Sequence, residues 1–299
     1  MMAAPAASPT SLQPPAAHAW DTAAEGWNRH SVLLDSWLAE VTEALLDAVR
    51  IGPGSRVLDI AAGAGDQTLC IAQRVGPNGY VLACDISPRI LELAADKLCR
   101  AGFCNVETKV ADAQALGLDG AGFDAAVCRL GLMFCRAPLD ALTNARLALK
   151  PGSRFGAVVF SAPQGNPCIA IMAATARRHA GLPTASPFEP GSLLSLGQPG
   201  LLAELLTAAG FAHVEVHKVA APMRLRSCRH YIDFVRTAGL PIMALLASLP
   251  TAAQQAAWLD IEGQLDQFAT ADGWQGPNEL LLCSATCTDQ GLVTTTTAP

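Results

Sequence analysis

Residues 57 to 68, VLDIAAGAGDQT, run from an apolar stretch through two closely spaced glycines into a segment with helical spacing. No other feature constrains the fold as much. Glycine lets a ligand approach the main chain, and the helix that follows offers free N–H groups to an anion such as a carboxylate. The same strand-then-helix rhythm continues downstream. The pattern predicts strands over 56–60, 80–85, 106–110, 123–128 and 154–161, with helices over 68–75, 88–101 and 139–149 and a Lys150-Pro151-Gly152 turn before the fifth strand. Such alternation requires a parallel sheet covered on both faces.

Around this centre, apolar residues at helical spacing predict a helix over 35–50. Beyond residue 162 the pattern predicts helices over 169–180, 201–209 and 231–268, and strands over 213–219 and 279–285. Residues 1–18, rich in Pro and Ala, read as a disordered arm, and 291–299 as a disordered tail. Between them we expect N-terminal lid helices (19–52), a cofactor-binding core (53–162), and the rest of the sheet with helical insertions (163–290).

Composition narrows the function. The chain has 299 residues, 15% of them charged, with a net charge of -6. Its only lysines are Lys97, Lys109, Lys150 and Lys218, and no basic run offers a footprint for nucleic acid. No apolar stretch is long enough for a membrane span, and no secretory signal opens the chain, so a cytoplasmic protein is expected. The ten cysteines lack CxxC spacing, and we expect no metal site.

Two residues refine the ligand. Asp85 ends the second strand twenty residues beyond Gly65, placed to accept hydrogen bonds from ribose hydroxyls. A dinucleotide turn of the G-x-G-x-x-G type would carry its third glycine at Thr68, and an acid, Asp59, precedes the turn. Both details favour S-adenosylmethionine over a nicotinamide cofactor.

The segment from Asp59 to Asp66, D-x-A-x-G-x-G-D, resembles the first motif of class I S-adenosylmethionine-dependent methyltransferases, in the branch of the ubiquinone/menaquinone-biosynthesis C-methyltransferases. Arg129-Leu130-Gly131-Leu132, and Leu149-Lys150-Pro151-Gly152 through Phe160-Ser161, extend the resemblance over residues 20–162. It implies a Rossmann-like, doubly wound seven-stranded sheet with helical insertions roofing the active site. It also implies that Asp59 and the backbone of Ala61, Gly63 and Gly65 surround the methionine part, while Asp85 and the adjoining Ile86 hold the ribose. Asp112 and Ala113 would bracket adenine, and Arg129 and Leu130 would line the way to the sulfonium. Each role has a plain alternative: Asp112 as a helix cap, Arg129 as partner of a surface carboxylate.

Residues Trp20 to Trp27 resemble the N-terminal Y-D-x-x-A-x-x-Y pattern of related enzymes, with tryptophan at both aromatic positions. The resemblance implies an arm that folds over the cofactor, with Trp27 near the sulfonium; a helix packed on the sheet edge is the alternative. One departure bears on substrate. The arginine that follows the glycine-leucine step in the quinone enzymes is here Met133, which demotes quinone precursors as acceptors.

Methyl transfer is an in-line displacement needing alignment in a dry pocket, and a base only for a hard nucleophile. His30, next to the lid, is the candidate base; a solvent-exposed histidine at a helix start is the alternative. A roof containing Ile169, Ile171, Met172, Phe188, Leu193, Leu194, Met223, Phe234, Ile242, Met243 and Leu246 suggests a small, largely apolar acceptor. Two other functions remain open: thiol-dependent methylation of arsenic through Cys128, Cys168 and Cys228, and a non-catalytic S-adenosylmethionine sensor or partner subunit.

Overall fold

A computed structural model describes residues 16–288. The chain opens with α1 (Ala16–Arg29) and α2 (Ser31–Ala48). Then follow β1 (Arg56–Ile60), α3 (Asp66–Val75), β2 (Tyr80–Asp85), α4 (Pro88–Arg100), β3 (Val106–Val110), β4 (Phe123–Arg129), α5 (Pro138–Ala148) and β5 (Leu149–Phe160). The C-terminal part comprises α6 (Pro167–His179), α7 (Leu201–Ala208), β6 (Phe211–Ala220), β7 (Met223–Leu225), α8 (Cys228–Ala238), α9 (Leu240–Leu246) and α10 (Thr251–Leu265). It ends with β8 (Ala269–Thr270), β9 (Gly273–Gly276) and β10 (Glu279–Cys287).

Seven strands form one sheet in the order β3-β2-β1-β4-β5-β10-β6. Neighbours from β3 to β5 are parallel, and β10 runs antiparallel to both β5 and β6. β1, β2 and β4 read as nearly continuous apolar runs because helices cover both faces, and most of their side chains are buried. Strand order reverses between β1 and β4, which opens a crevice at the carboxyl ends of the central strands. This is the Rossmann-like, seven-stranded arrangement that the resemblance implied.

Several elements differ from expectation. Helix α1 begins at Ala16, so the arm read as disordered through residue 18 is already helical there, directly after the Pro14-Pro15 pair; the rest of the arm, 1–15, and the tail lie outside the described residues. The helix expected over 231–268 is three helices, because Gly239 with Pro241 and then Pro250 interrupt it. Lys150-Pro151-Gly152 lies inside β5, where the register against β4 slips between Phe123 and Ala125, instead of forming a separate turn. A small sheet, β7-β9-β8, was not anticipated, since strands of two to four residues leave no periodic signal.

Candidate active site

The crevice is assembled from the segments that follow β1, β2, β3 and β4. Immediately after β1 the backbone turns left-handed at Ala61 (φ 56°), Gly63 (φ 58°) and Gly65 (φ 85°). The two glycines do different work. A Cβ on Gly63 would meet nothing nearer than Ile90 Cδ1 at 4.0 Å, so this glycine faces open space where a ligand can approach. One on Gly65 would lie 2.9 Å from Ala94 Cβ, so Gly65 is buried and lets α3 pack against α4. Ala61 holds its left-handed conformation without being glycine, a strain characteristic of functional turns. It is pressed by the loop after β4, where a Cβ on Gly131 would come within 2.3 Å of Ala61 Cβ.

Asp59 is 0% exposed and withdrawn behind this turn. It accepts from Gln67 Nε2 at 2.6 Å and Thr68 Oγ1 at 2.7 Å, so its carboxylate clamps the first turn of α3. Burial pushes its pKa up to about 6, against the two hydrogen bonds and the Arg129 charge. Gln67 Oε1, beside it, is buried without a hydrogen-bond partner. An unsatisfied acceptor next to a buried carboxylate favours an ammonium donor.

Asp85 closes the turn from the other side. Its Oδ2 accepts from Gly63 N at 2.9 Å and its Oδ1 from Ser87 N at 3.0 Å. Burial raises its pKa, offset by these backbone bonds and one from Ile86, while Asp21 raises it further. Half-buried Ile86 leads into Ser87, which caps α4 by accepting from Ile90 N at 3.1 Å. After β3, Asp112 caps a short turn over Ala113, accepting from Gln114 N at 2.9 Å and also from Gln114 Nε2. Both Asp112 and Ala113 remain half-buried at the rim.

Arg129 does not point along the crevice. Its Nη1 donates to Thr42 Oγ1 at 2.5 Å, and the guanidinium sits in the field of Asp59, Asp66, Cys70 and Asp35. It therefore ties β4 to α2 beneath the turn, which is neither the role implied by the resemblance nor a surface pair. Leu130, left-handed at φ 58° and anchored by its N–H on Val158 O at 2.8 Å, does reach the cavity described next.

Beside the crevice lies a cavity of about 70 Å3 with no charged side chain in its wall among the described residues. From the expected roof it takes Ile169, Met172, Leu193, Met223, Phe234 and Ile242, whereas Leu194 and Leu246 pack in the core. From the rest of the chain it adds Trp20, Trp27, Trp37, Met133, Phe134, Phe160, Tyr231 and Asn278 among others. Trp27 stands at the join: it packs on Ala24, Ala64 and Ile90 near the glycine turn and edge-on to Phe234, 6.1 Å between centroids. Its indole Nε1 is buried without a partner.

Helix α1 holds these tryptophans in place. Asp21 accepts from Ser87 Oγ at 2.5 Å and Arg89 N at 3.2 Å, Glu25 pairs with Arg89, and Gly26 lies against Thr237 of α8 so closely that a Cβ would strike the Thr237 carbonyl at 2.0 Å. The helix thus packs between α4 and α8 over the carboxyl ends of the strands. His30 is not in the cavity wall. Its Nε2 lies 2.8 Å from Thr237 Oγ1 and its ring stands edge-on to Phe234 at 5.2 Å, so it locks α2 to α8; burial lowers its pKa. Neither the base nor the solvent-exposed reading describes it.

The cysteines do not assemble. Cys168 and Cys228 are neighbours, but Cys128 lies beneath Gly131 with Cys135. Burial raises all three thiols, Cys168 and Cys228 to about 12, which suppresses the thiolate a soft metalloid requires. Among the described residues no group of three or more His, Cys, Asp or Glu is arranged to hold a metal ion, and no helix is long and apolar enough to cross a membrane.

Sequence reasoning missed a part-buried ionic cluster: Lys97 of α4 donates to Asp66 and Ser31 Oγ, and Ser31 donates to Asp66 at 2.9 Å, binding α2, α3 and α4 together under the turn. It missed Asp21 and Gln67 as well. Ser87-Pro88 at the end of β2 was the available signal for the helix start that Asp21 docks on.

Residues 35–175 match the model of the ubiE/COQ5 methyltransferase family. A ubiquinone/menaquinone biosynthesis C-methyltransferase UbiE of Ectopseudomonas mendocina (strain ymp) is 40% identical over 121 residues, 40% of this chain and 47% of that protein. The UbiE of Teredinibacter turnerae (strain ATCC 39867 / T7901) is 40% identical over 117 residues, 39% of this chain and 47% of that protein. The chain thus spans about half the length of the curated relatives it matches. Among solved structures, the YcgJ protein of Bacillus subtilis is similar with a TM-score of 0.57 at 18% identity, over 84% of this chain and 99% of that one. A phosphoethanolamine N-methyltransferase 2 of Haemonchus contortus, solved with phosphomonomethylethanolamine and S-adenosylhomocysteine, has a TM-score of 0.55 at 15% identity, over 89% of this chain and 61% of that one. At such identities the two structures speak for the fold.

Proposed function

We propose that this chain, whose residues 35–175 match the ubiE/COQ5 methyltransferase family model, is a class I S-adenosylmethionine-dependent methyltransferase that transfers a methyl group to a small, uncharged and largely apolar acceptor. The observation that carries this reading is the junction of a cofactor turn with an apolar cavity, spanned by Trp27 and Leu130. Bound at the turn, S-adenosylmethionine supplies an electrophilic methyl group on a sulfonium. The residues present fit it. Gly63 leaves room for a ligand against the backbone, and Gln67 Oε1 with Asp59 awaits the methionine ammonium. Asp85, fixed by Gly63 and Ser87, presents its remaining lone pairs to the ribose, and Asp112 with Ala113 forms the rim for adenine.

What the protein contributes is alignment and dryness. Trp20 and Trp27, carried on α1, close the cavity against water, and holding two reactants in line can lower a barrier by up to roughly 7–11 kcal/mol. Among the described residues no His, Asp, Glu or Lys lines the cavity, so the acceptor's nucleophilic atom reacts without a base from these residues. This favours a carbon or sulfur nucleophile over a neutral aliphatic hydroxyl.

The relatives are named for ubiquinone and menaquinone biosynthesis, whereas much of this cavity comes from residues beyond 175: Leu193, Met223, Tyr231, Phe234, Ile242 and Asn278. Acceptor choice therefore rests on this chain's own C-terminal part, together with the buried Met133. The arsenic reading loses its basis in the scattered, protonated thiols, and the sensor reading is not favoured by any feature of the site. The test is incubation with methyl-labelled S-adenosylmethionine and a cell extract, separating organic-soluble small molecules from precipitated macromolecules. Label in a small apolar compound supports the proposal; label in protein or RNA refutes it.

A further inference from the structure

Among the cavity's lining residues, Trp37 has already spent its polar group, its indole N–H donating to Ala221 O at 2.7 Å. Besides the buried, unpartnered indole N–H of Trp27, two polar side chains of the C-terminal part have not. Tyr231 is 5% exposed, its ring stacked on Trp274 with centroids 4.8 Å apart and planes at 24°, and Trp274 is itself anchored through Nε1 on Leu265 O at 2.8 Å. The Tyr231 hydroxyl makes no hydrogen bond among the described residues, with Cys168 and Cys228 as its neighbours. Asn278 is 7% exposed; its Nδ2 makes one long hydrogen bond, 3.3 Å to Gly276 O, and its Oδ1 engages nothing among the described residues. Buried polar groups are normally paired, and a rigidly held phenol and amide on an otherwise apolar wall are costly to leave unmatched.

We infer that Tyr231 and Asn278 form the acceptor-holding pair of this cavity, selecting an uncharged, apolar molecule that carries one hydroxyl group. A hydroxyl matches both: it accepts from the Tyr231 phenol and donates to the Asn278 side-chain oxygen. Burial, with Cys168 and Cys228 nearby, raises the Tyr231 phenol, so it stays protonated and acts as a donor rather than a base. The pair orients the acceptor and does not activate it. Both residues lie outside 35–175, so this selectivity is not a property of the family-matched segment. The inference rests on the acceptor site proposed above, but it is testable without turnover.

The experiment compares 2-naphthol with naphthalene by equilibrium dialysis against the full-length protein, with and without saturating S-adenosylhomocysteine, whose own affinity is measured by calorimetry. An apolar cavity with no use for a hydroxyl favours naphthalene, which leaves water more readily. We expect 2-naphthol to bind at least fivefold more tightly than naphthalene, and Tyr231→Phe and Asn278→Leu each to reduce that preference to twofold or less with S-adenosylhomocysteine affinity within twofold of wild type. A wild-type preference for naphthalene, equal binding, binding of neither probe, or an undiminished preference in the variants would overturn the pair. The wild-type comparison stands even if a variant fails to fold. Loss of S-adenosylhomocysteine binding alone, with the naphthol preference intact, would instead strike the methyltransferase reading.

Discussion

Replacing Asp59 by Asn probes how a buried carboxylate is tolerated under the cofactor turn. Asp59 is 0% exposed and its pKa is raised from 3.8 to about 6, burial outweighing the bonds from Thr68 and Gln67. A raised folded pKa means the native state holds the proton more tightly than the unfolded chain. The associated stability is complete below pH 3.8 and is lost as pH rises through about 6, because native protein then binds more protons than unfolded protein. Asparagine cannot ionise, so the stability difference between the variant and wild type should shift in the variant's favour with pH. For these two pKa values the shift between pH 4 and pH 7.5 is on the order of 2 kcal/mol. Any pH-independent cost of the substitution, such as a rearranged hydrogen bond to Gln67, cancels from this difference. Flipping the Gln67 amide would let its Oε1, now unpartnered, accept from the new Asn Nδ2, which limits that cost. The assay is urea unfolding of both proteins at pH 4, 5, 6 and 7.5 with linear extrapolation. Stability curves that stay parallel to within about 0.5 kcal/mol, below the resolution expected of such effects, would show that Asp59 is not destabilised by burial and refute the reasoning.

Asp85→Ala removes the acceptor for the N–H groups of Gly63 and Ser87, so it should cost about 1–3 kcal/mol in stability and abolish calorimetric binding of S-adenosylhomocysteine; retained affinity would dismiss Asp85 as a ligand contact. Gly131→Ala places a methyl group 2.3 Å from Ala61 Cβ and 3.1 Å from Cys128 Sγ, and we expect a loss of about 1–3 kcal/mol in denaturant titrations, together with weaker cofactor binding as Ala61 is displaced. His30→Ala should lower stability by about 0.5–1.5 kcal/mol through the lost bond to Thr237, yet leave labelled methyl transfer within about threefold of wild type and its pH profile unchanged, because the imidazole is outside the cavity; a large kcat loss without unfolding would reinstate it as the base.

The division between what could and could not be read in advance follows the distance between interacting residues along the chain. The proposed cofactor half of the site could be laid out from the sequence because each part is a local event. A strand, a left-handed turn and a helix start occupy residues 57 to 68, and Asp85 ends the next strand of the same unit. Spacing alone carries such a signal, since backbone conformation at Gly63 and the end of β2 depends on neighbours a few residues away. Even there, tertiary packing reassigned individual side chains: Gly65 serves helix packing, Asp59 clamps α3, and Arg129 turns away to Thr42.

The proposed acceptor half depends on tertiary structure. The roof's apolar character was visible in the sequence, but the cavity joins Trp20 and Trp37 of the first helices to Phe160 of β5, Tyr231 of α8 and Asn278 before β10, residues whose separation leaves no periodic trace. β10 enters the sheet between β5 and β6 rather than at its edge, a choice made by long-range strand pairing. A doubly wound sheet and the glycine turn after β1 follow from local signals along the chain, because hydrophobic period and turn chemistry are local. Which side chains meet across the cavity, and that its wall carries no charge among the described residues, followed only from how distant helices close over the strand ends.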